Sequence, residues 1–142
     1  MRFPSGYAVD IAYQMGGGGS EQQMAPLHGW RVLIVEDDYF IAHDLATGFE
    51  EAGIQIVGPV PSLASALAAL AQERLDGAVL DINLDGEKVY KVADALIARG
   101  VAVVFVTGYE RPSIPVCYND VPLCLKPVET EEVIEALGRI AS

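Results

Sequence analysis

Residues Arg31–Gly53 read RVLIVEDDYFIAHDLATGFEEAG, and this stretch decides the fold. Arg31–Glu36 is a short, β-branched run, the composition of a buried strand. Three acids follow at its end: Glu36, Asp37 and Asp38. Tyr39–Ala52 then places Phe40, Ile41, Leu45, Phe49 and Ala52 at helical spacing, and Gly53 stands where a helix-ending glycine belongs. Strand, polar joint, helix and glycine together make one β-α unit.

The unit repeats outward. Ile54–Pro59 (IQIVGP) reads as a second strand, and Ser62 as the N-cap of a helix over Leu63–Glu73. Gly77–Asp81 (GAVLD) is a third strand. Lys88–Arg99 is a helix with Val89, Val92, Ala93, Leu96 and Ile97 on one face, closed by Gly100. Val101–Thr107 (VAVVFVT) is the fourth strand and Pro122–Leu125 (PLCL) a short fifth. Thr130–Ala141 is the last helix, striped by Val133, Ile134, Leu137 and Ile140. Strands one, three and four are nearly all apolar, as in a parallel sheet covered on both faces. Gly108–Val121 breaks the pattern. It holds Pro112 and Pro115, so a short or irregular fourth helix is expected there.

Composition narrows the function. The chain has 142 residues, 51% hydrophobic and 20% charged, enough for one packed domain. Nine basic against twenty acidic residues give a net charge of −11, a poor basis for a nucleic-acid-binding face. The longest clear apolar run, Val101–Val106, is far short of a membrane span. Cys117 and Cys124 lack a C-x-x-C or histidine partner, so no disulfide is expected and a cytoplasmic location is the default. His28 and His43 have no metal-ligand spacing and read as ordinary residues. Residues 1–29, with the run Gly16–Ser20, look like a flexible linker or tag; Tyr7, Val9, Ile11 and Tyr13 alternate within it as a short added strand would. The folded domain is expected over 30–142.

The polar residues fall on one edge. Glu36 and Asp37 end strand one, Asp81 ends strand three, Thr107 ends strand four, and Lys126 follows strand five. Strand two ends in Gly58-Pro59 and delivers none. If strand two lies outside, the order is 2-1-3-4-5, with a crevice between strands one and three at the carboxyl ends. Carboxylates gathered there repel one another, and a hard divalent cation such as Mg²⁺ relieves this while also taking phosphate oxygens. A carboxylate is a competent nucleophile for phosphoryl transfer. Lys126 and the Thr107 hydroxyl, with backbone N–H groups such as that of Gly108, can stabilise the transferring group.

At this level the sequence resembles the receiver domain of two-component response regulators. The resemblance rests on VLIVEDD (Val32–Asp38), VLDINLDGE (Val79–Glu87), FVTGY (Phe105–Tyr109) and LKPV (Leu125–Val128), in order over about 30–142. FVTGY is similar to the fourth strand of small single-domain receivers of the F-x-T-G-Y type, whose cognate kinases are often of the HWE class. The resemblance implies a flavodoxin-like (βα)5 fold and a phosphoprotein rather than an enzyme. Asp81 would accept a phosphoryl group from a histidine kinase or a phosphotransfer protein. Asp37, Glu36, Asp81 and the backbone carbonyl of Asn83 would hold Mg²⁺, with Mn²⁺ able to substitute. Lys126 and Thr107 would engage the phosphoryl oxygens. Asp38 would cap the first helix, the role its residue type favours.

Two departures stand out. Many receivers carry Tyr or Phe three residues before the lysine, and here that position is Leu123; Tyr109 is an aromatic that could substitute in part. The second is the proline-containing loop. The response to phosphorylation is therefore expected in Thr107–Val121. An aspartyl-phosphate hydrolase usually needs a second acid two residues past its nucleophile, and here that residue is Asn83, an amide. A binding module independent of phosphate would not need Glu36, Asp37, Asp81, Thr107 and Lys126 together. The chain ends sixteen residues past Lys126, room for one helix. Output is accordingly expected through a downstream protein partner or by draining phosphate from a kinase, with no nucleic acid or membrane involved.

Overall fold

The structure is a computed structural model that describes residues 27–108 and 113–141. Five parallel strands form the central sheet. They are β1 (Arg31–Val35), β2 (Gln55–Val60), β3 (Gly77–Asp81), β6 (Ala102–Thr107) and β7 (Leu123–Leu125), in the spatial order β2-β1-β3-β6-β7. This is the 2-1-3-4-5 order expected for the main strands. Two labels intervene because β4 (Asn83–Leu84) and β5 (Glu87–Lys88) make a small antiparallel hairpin after β3. Its two-residue loop, Asp85-Gly86, has positive φ at both positions (52° and 91°), the backbone a tight primed turn demands and Asp-Gly favours.

The sheet is covered on both faces, which is why its central strands are apolar at nearly every position. Leu33, Val35, Leu80 and Phe105 face α2 (Leu63–Gln72) and α3 (Tyr90–Ala98). Val32, Ile34, Val79, Val104 and Val106 face α1 (Tyr39–Glu51) and α4 (Thr130–Ala141). Phe49 of α1 is fully buried in that second layer; truncating such a ring costs about 3–5 kcal/mol through lost transfer energy and a residual cavity. Leu27 is also buried, and Gly29 donates to the Gly53 carbonyl at 2.9 Å, tying the entry to β1 against the end of α1.

The helix ends follow local chemistry. The Asp38 carboxylate accepts from the N–H groups of Phe40 (2.9 Å) and Ile41 (3.1 Å), so it caps α1 as its residue type suggests. Ser62 and Ser65 form a reciprocal capping box on α2. α3 starts two residues later than expected because Lys88 pairs with Asn83 in the hairpin. Three members of the expected apolar stripes are exposed. Phe40 is 76% accessible, and Ile97 and Ile140 also face outward. Each sits at the rim of its helix's apolar arc, beyond the reach of the sheet. Between β6 and β7 the described residues include a 3₁₀ turn, Val116–Tyr118, in keeping with the short fourth helix expected there.

Candidate functional site

Parallel pairing sets the ends of β1, β3 and β6 side by side. Val35 pairs with Leu80, and Asp81 with Val106, so Asp81 lies one residue beyond β1's last pair and Thr107 one beyond Asp81's partner. Glu36, Asp37 and Asp81 each bring a carboxylate oxygen within 4.8 Å of the others. Asp81 is 4% accessible and Glu36 3%, whereas Asp37 is exposed. The cluster thus has a buried floor and an open mouth.

Lys126 completes it. Its backbone N–H donates to the Thr107 carbonyl at 2.8 Å, which fixes the residue at the end of β7. Its ammonium reaches Asp81 Oδ2 at 3.1 Å and both Glu36 oxygens at 3.3 Å. The other Asp81 oxygen accepts from the Asn83 N–H at 3.3 Å. Burial works against the charge on Lys126, but Asp81 and then Glu36 outweigh it and hold its pKa above the ordinary value. Glu36 is pushed up from 4.5 to about 7, first by burial and then by the charge of Asp81, against the Asp38 N–H and Lys126.

One ammonium faces three carboxylates, so the cluster is under-neutralised. Glu36 Oε1 is buried with no hydrogen-bond partner, its Lys126 contact being purely electrostatic, and the Asn83 side-chain oxygen is likewise unpartnered. Buried polar atoms in that condition call for a ligand. The donor set is all oxygen, part buried and part open, which fits a hard divalent cation that keeps some of its waters. Thr107 is 1% accessible, with its carbonyl committed to Lys126.

The residues read from sequence as a site, Glu36, Asp37, Asp81, Asn83, Thr107 and Lys126, therefore share one sheet edge. Tyr109 and Pro112 lie outside the described residues. Leu123 packs against the α2/α3 core as an aliphatic side chain does. Two features escaped the reading. A groove of about 320 Å³ opens beside the acids between Tyr39 and His43 of α1 and Pro59 and Pro61. Tyr118 is buried in a cluster with Tyr90 and Phe105. Its only sequence signal was an aromatic in a loop otherwise poor in apolar residues.

A five-stranded parallel sheet with an acidic pair, a further aspartate, a threonine and a lysine on its carboxyl edge defines a class. The sequence model of the response regulator receiver domain matches residues 32–137, and the chain belongs to that family. Among solved structures it is similar to SdrG from Sphingomonas melonis Fr1, with 37% identity and a TM-score of 0.71 over 82% of this chain and 98% of that one. It is similar also to the BeF3-activated conformation of SdrG from Pseudomonas melonis Fr1, with 36% identity and a TM-score of 0.67 over 79% and 96%. A curated relative, the sensory transduction protein LytT of Bacillus cereus, is 28% identical over 113 residues, 77% of this chain. The chain spans about half the length (46%) of that relative. Receiver domains serve two-component signalling and are in general phosphoacceptors rather than enzymes. Among the described residues no helix is long and apolar enough to cross a membrane.

Proposed function

We propose that this chain is a phosphoacceptor whose acceptor is Asp81. The observation that carries the reading is the Lys126 ammonium held at 3.1 Å from a buried Asp81 carboxylate beside two further acids. In the transfer, an Asp81 oxygen attacks the phosphorus of a phosphohistidine on a sensor kinase, possible donors including the HWE class, or on a phosphotransfer protein. An O–P bond forms, the N–P bond breaks, and the imidazole leaves with its electron pair and takes a proton from water. Lys126 neutralises charge on the phosphoryl oxygens and the Thr107 hydroxyl donates to one. Glu36, Asp37, Asp81 and the Asn83 carbonyl are the residues to hold Mg²⁺, or Mn²⁺ in its place. The ion supplies charge neutralisation to both carboxylates and phosphoryl oxygens. Asn83, an amide, offers no general acid for rapid hydrolysis, so the acyl phosphate persists and serves a downstream protein partner or drains phosphate from the donor. The chemistry belongs to the cytoplasm, where such donors are made.

The test is intact mass after incubation with acetyl phosphate and Mg²⁺. Wild type should gain one phosphoryl group, and Asp81→Asn should gain none while keeping its circular dichroism. Undiminished labelling of Asp81→Asn would remove Asp81 as the acceptor.

A further inference from the structure

Tyr118 joins the segment leaving β6 to the helix that follows the acceptor strand. Its hydroxyl donates to Asp94 Oδ1 of α3 at 2.7 Å. Its ring stacks on Tyr90 of α3, centroids 4.8 Å apart and planes 12° from parallel. It also meets Phe105 of β6 edge-on at 5.7 Å. Phe105 stands two residues before Thr107, so the two side chains share one face of the sheet. α3 in turn follows the hairpin that leaves Asp81. One side chain in the 3₁₀ turn thus touches the strand that carries the threonine and the helix that follows the acceptor strand.

The hydroxyl is the informative part. A phenylalanine would fill the same ring position, and the ring alone accounts for the packing. The hydroxyl adds a short, directed bond to a charged acceptor across two separate elements, and such bonds are stronger than neutral ones. Burial, and then Asp94, raise the Tyr118 pKa above its ordinary value, so the group stays a donor.

Lys126 is engaged with the carboxylates of Asp81 and Glu36. A phosphoryl group on Asp81 competes for Lys126 and draws on Thr107. Any shift of the Thr107 end of β6 moves the strand against which the Tyr118 ring rests. We infer that Tyr118 is a positioning residue for phosphoryl acceptance: its bond to Asp94 and its ring contact with Phe105 hold the Thr107 end of β6 in the arrangement where Lys126 is bound by the Asp81 and Glu36 carboxylates. This rests on Asp81 as acceptor. Removing a contact made only in one of two states shifts the population toward the other.

The experiment measures the rate of labelling of the full chain by acetyl phosphate and Mg²⁺, by intact mass, for wild type, Tyr118→Phe, Asp94→Ala and the double variant. Each single variant should label about tenfold faster, the lower end of the scale of one hydrogen bond to a charged group. The double variant should also be about tenfold faster, since both changes remove one bond, rather than about 100-fold as independent effects would give. A purely structural role would lower the thermal midpoint and leave labelling no faster. Unchanged or slower labelling of Tyr118→Phe, or multiplicative effects in the double variant, overturns the inference. If wild type labels and the variants match it, the inference alone falls. If wild type takes no label, the acceptor reading falls and this inference with it.

Discussion

Glu36→Gln should stabilise the metal-free protein at neutral pH, although it removes one arm of an ion pair. Glu36 is 3% accessible and its Oε1 has no hydrogen bond. Repulsion from Asp81, with oxygens within 4.8 Å, is about 3 kcal/mol at an effective dielectric constant near 20, and attraction to Lys126 at 3.3 Å is somewhat larger. These nearly cancel once the exposed Asp37 adds its repulsion, and the cost of burying the charge remains. The rise of the Glu36 pKa from 4.5 to about 7 has the same origin. At about 1.4 kcal/mol per unit, the penalty for keeping the residue ionised is up to about 3 kcal/mol. The folded state binds the proton more tightly than the unfolded chain, so the penalty is absent below about pH 4.5 and complete above about pH 7. Glutamine keeps the shape without the charge. In the presence of a chelator its thermal midpoint should exceed that of wild type by about 3–10 °C near pH 8, for a domain of this size. Near pH 5 the gap should shrink markedly. Thermal melts at the two pH values decide it. A midpoint for Glu36→Gln below wild type near pH 8, or a gap that does not change with pH, would refute the reasoning.

Two further outcomes follow from the geometry. Mg²⁺ should raise the wild-type midpoint, by about 2.7 kcal/mol at a hundredfold excess over its dissociation constant, and Asp37→Ala should lose most of that gain; equal shifts in a metal titration followed by melting would take Asp37 out of the site. Gly48→Ala should destabilise by about 1–3 kcal/mol in a denaturant titration despite alanine's higher helix propensity, because the added Cβ on α1 collides with Thr130 Cγ2 and sits 2.9 Å from its Cβ, and Thr130→Ser should recover part of the loss.

The sequence by itself determined the β-α alternation, the doubly covered sheet and the edge on which Glu36, Asp37, Asp81, Thr107 and Lys126 gather. Those features rest on local periodicity and on one topological rule. An apolar run bounded by turns has few alternatives, and residues at strand ends share an edge whatever the side chains do between them. Asp38 and Ser62 were legible as caps because a cap acts on its own next turn. The tertiary structure decided the rest. Phe40 and Ile140 have the spacing of core residues, yet each lies on an arc of its helix that the sheet does not cover, and the width of that cover is set by neighbouring elements. The Asn83–Lys88 hairpin has strands of two residues, too short for a periodicity to register, although Asp85-Gly86 signals its turn. Tyr118 finds Asp94, Tyr90 and Phe105 at separations of 24, 28 and 13 residues. Only the folding of β6 against β3, with α3 packed over both, brings those three partners to one point.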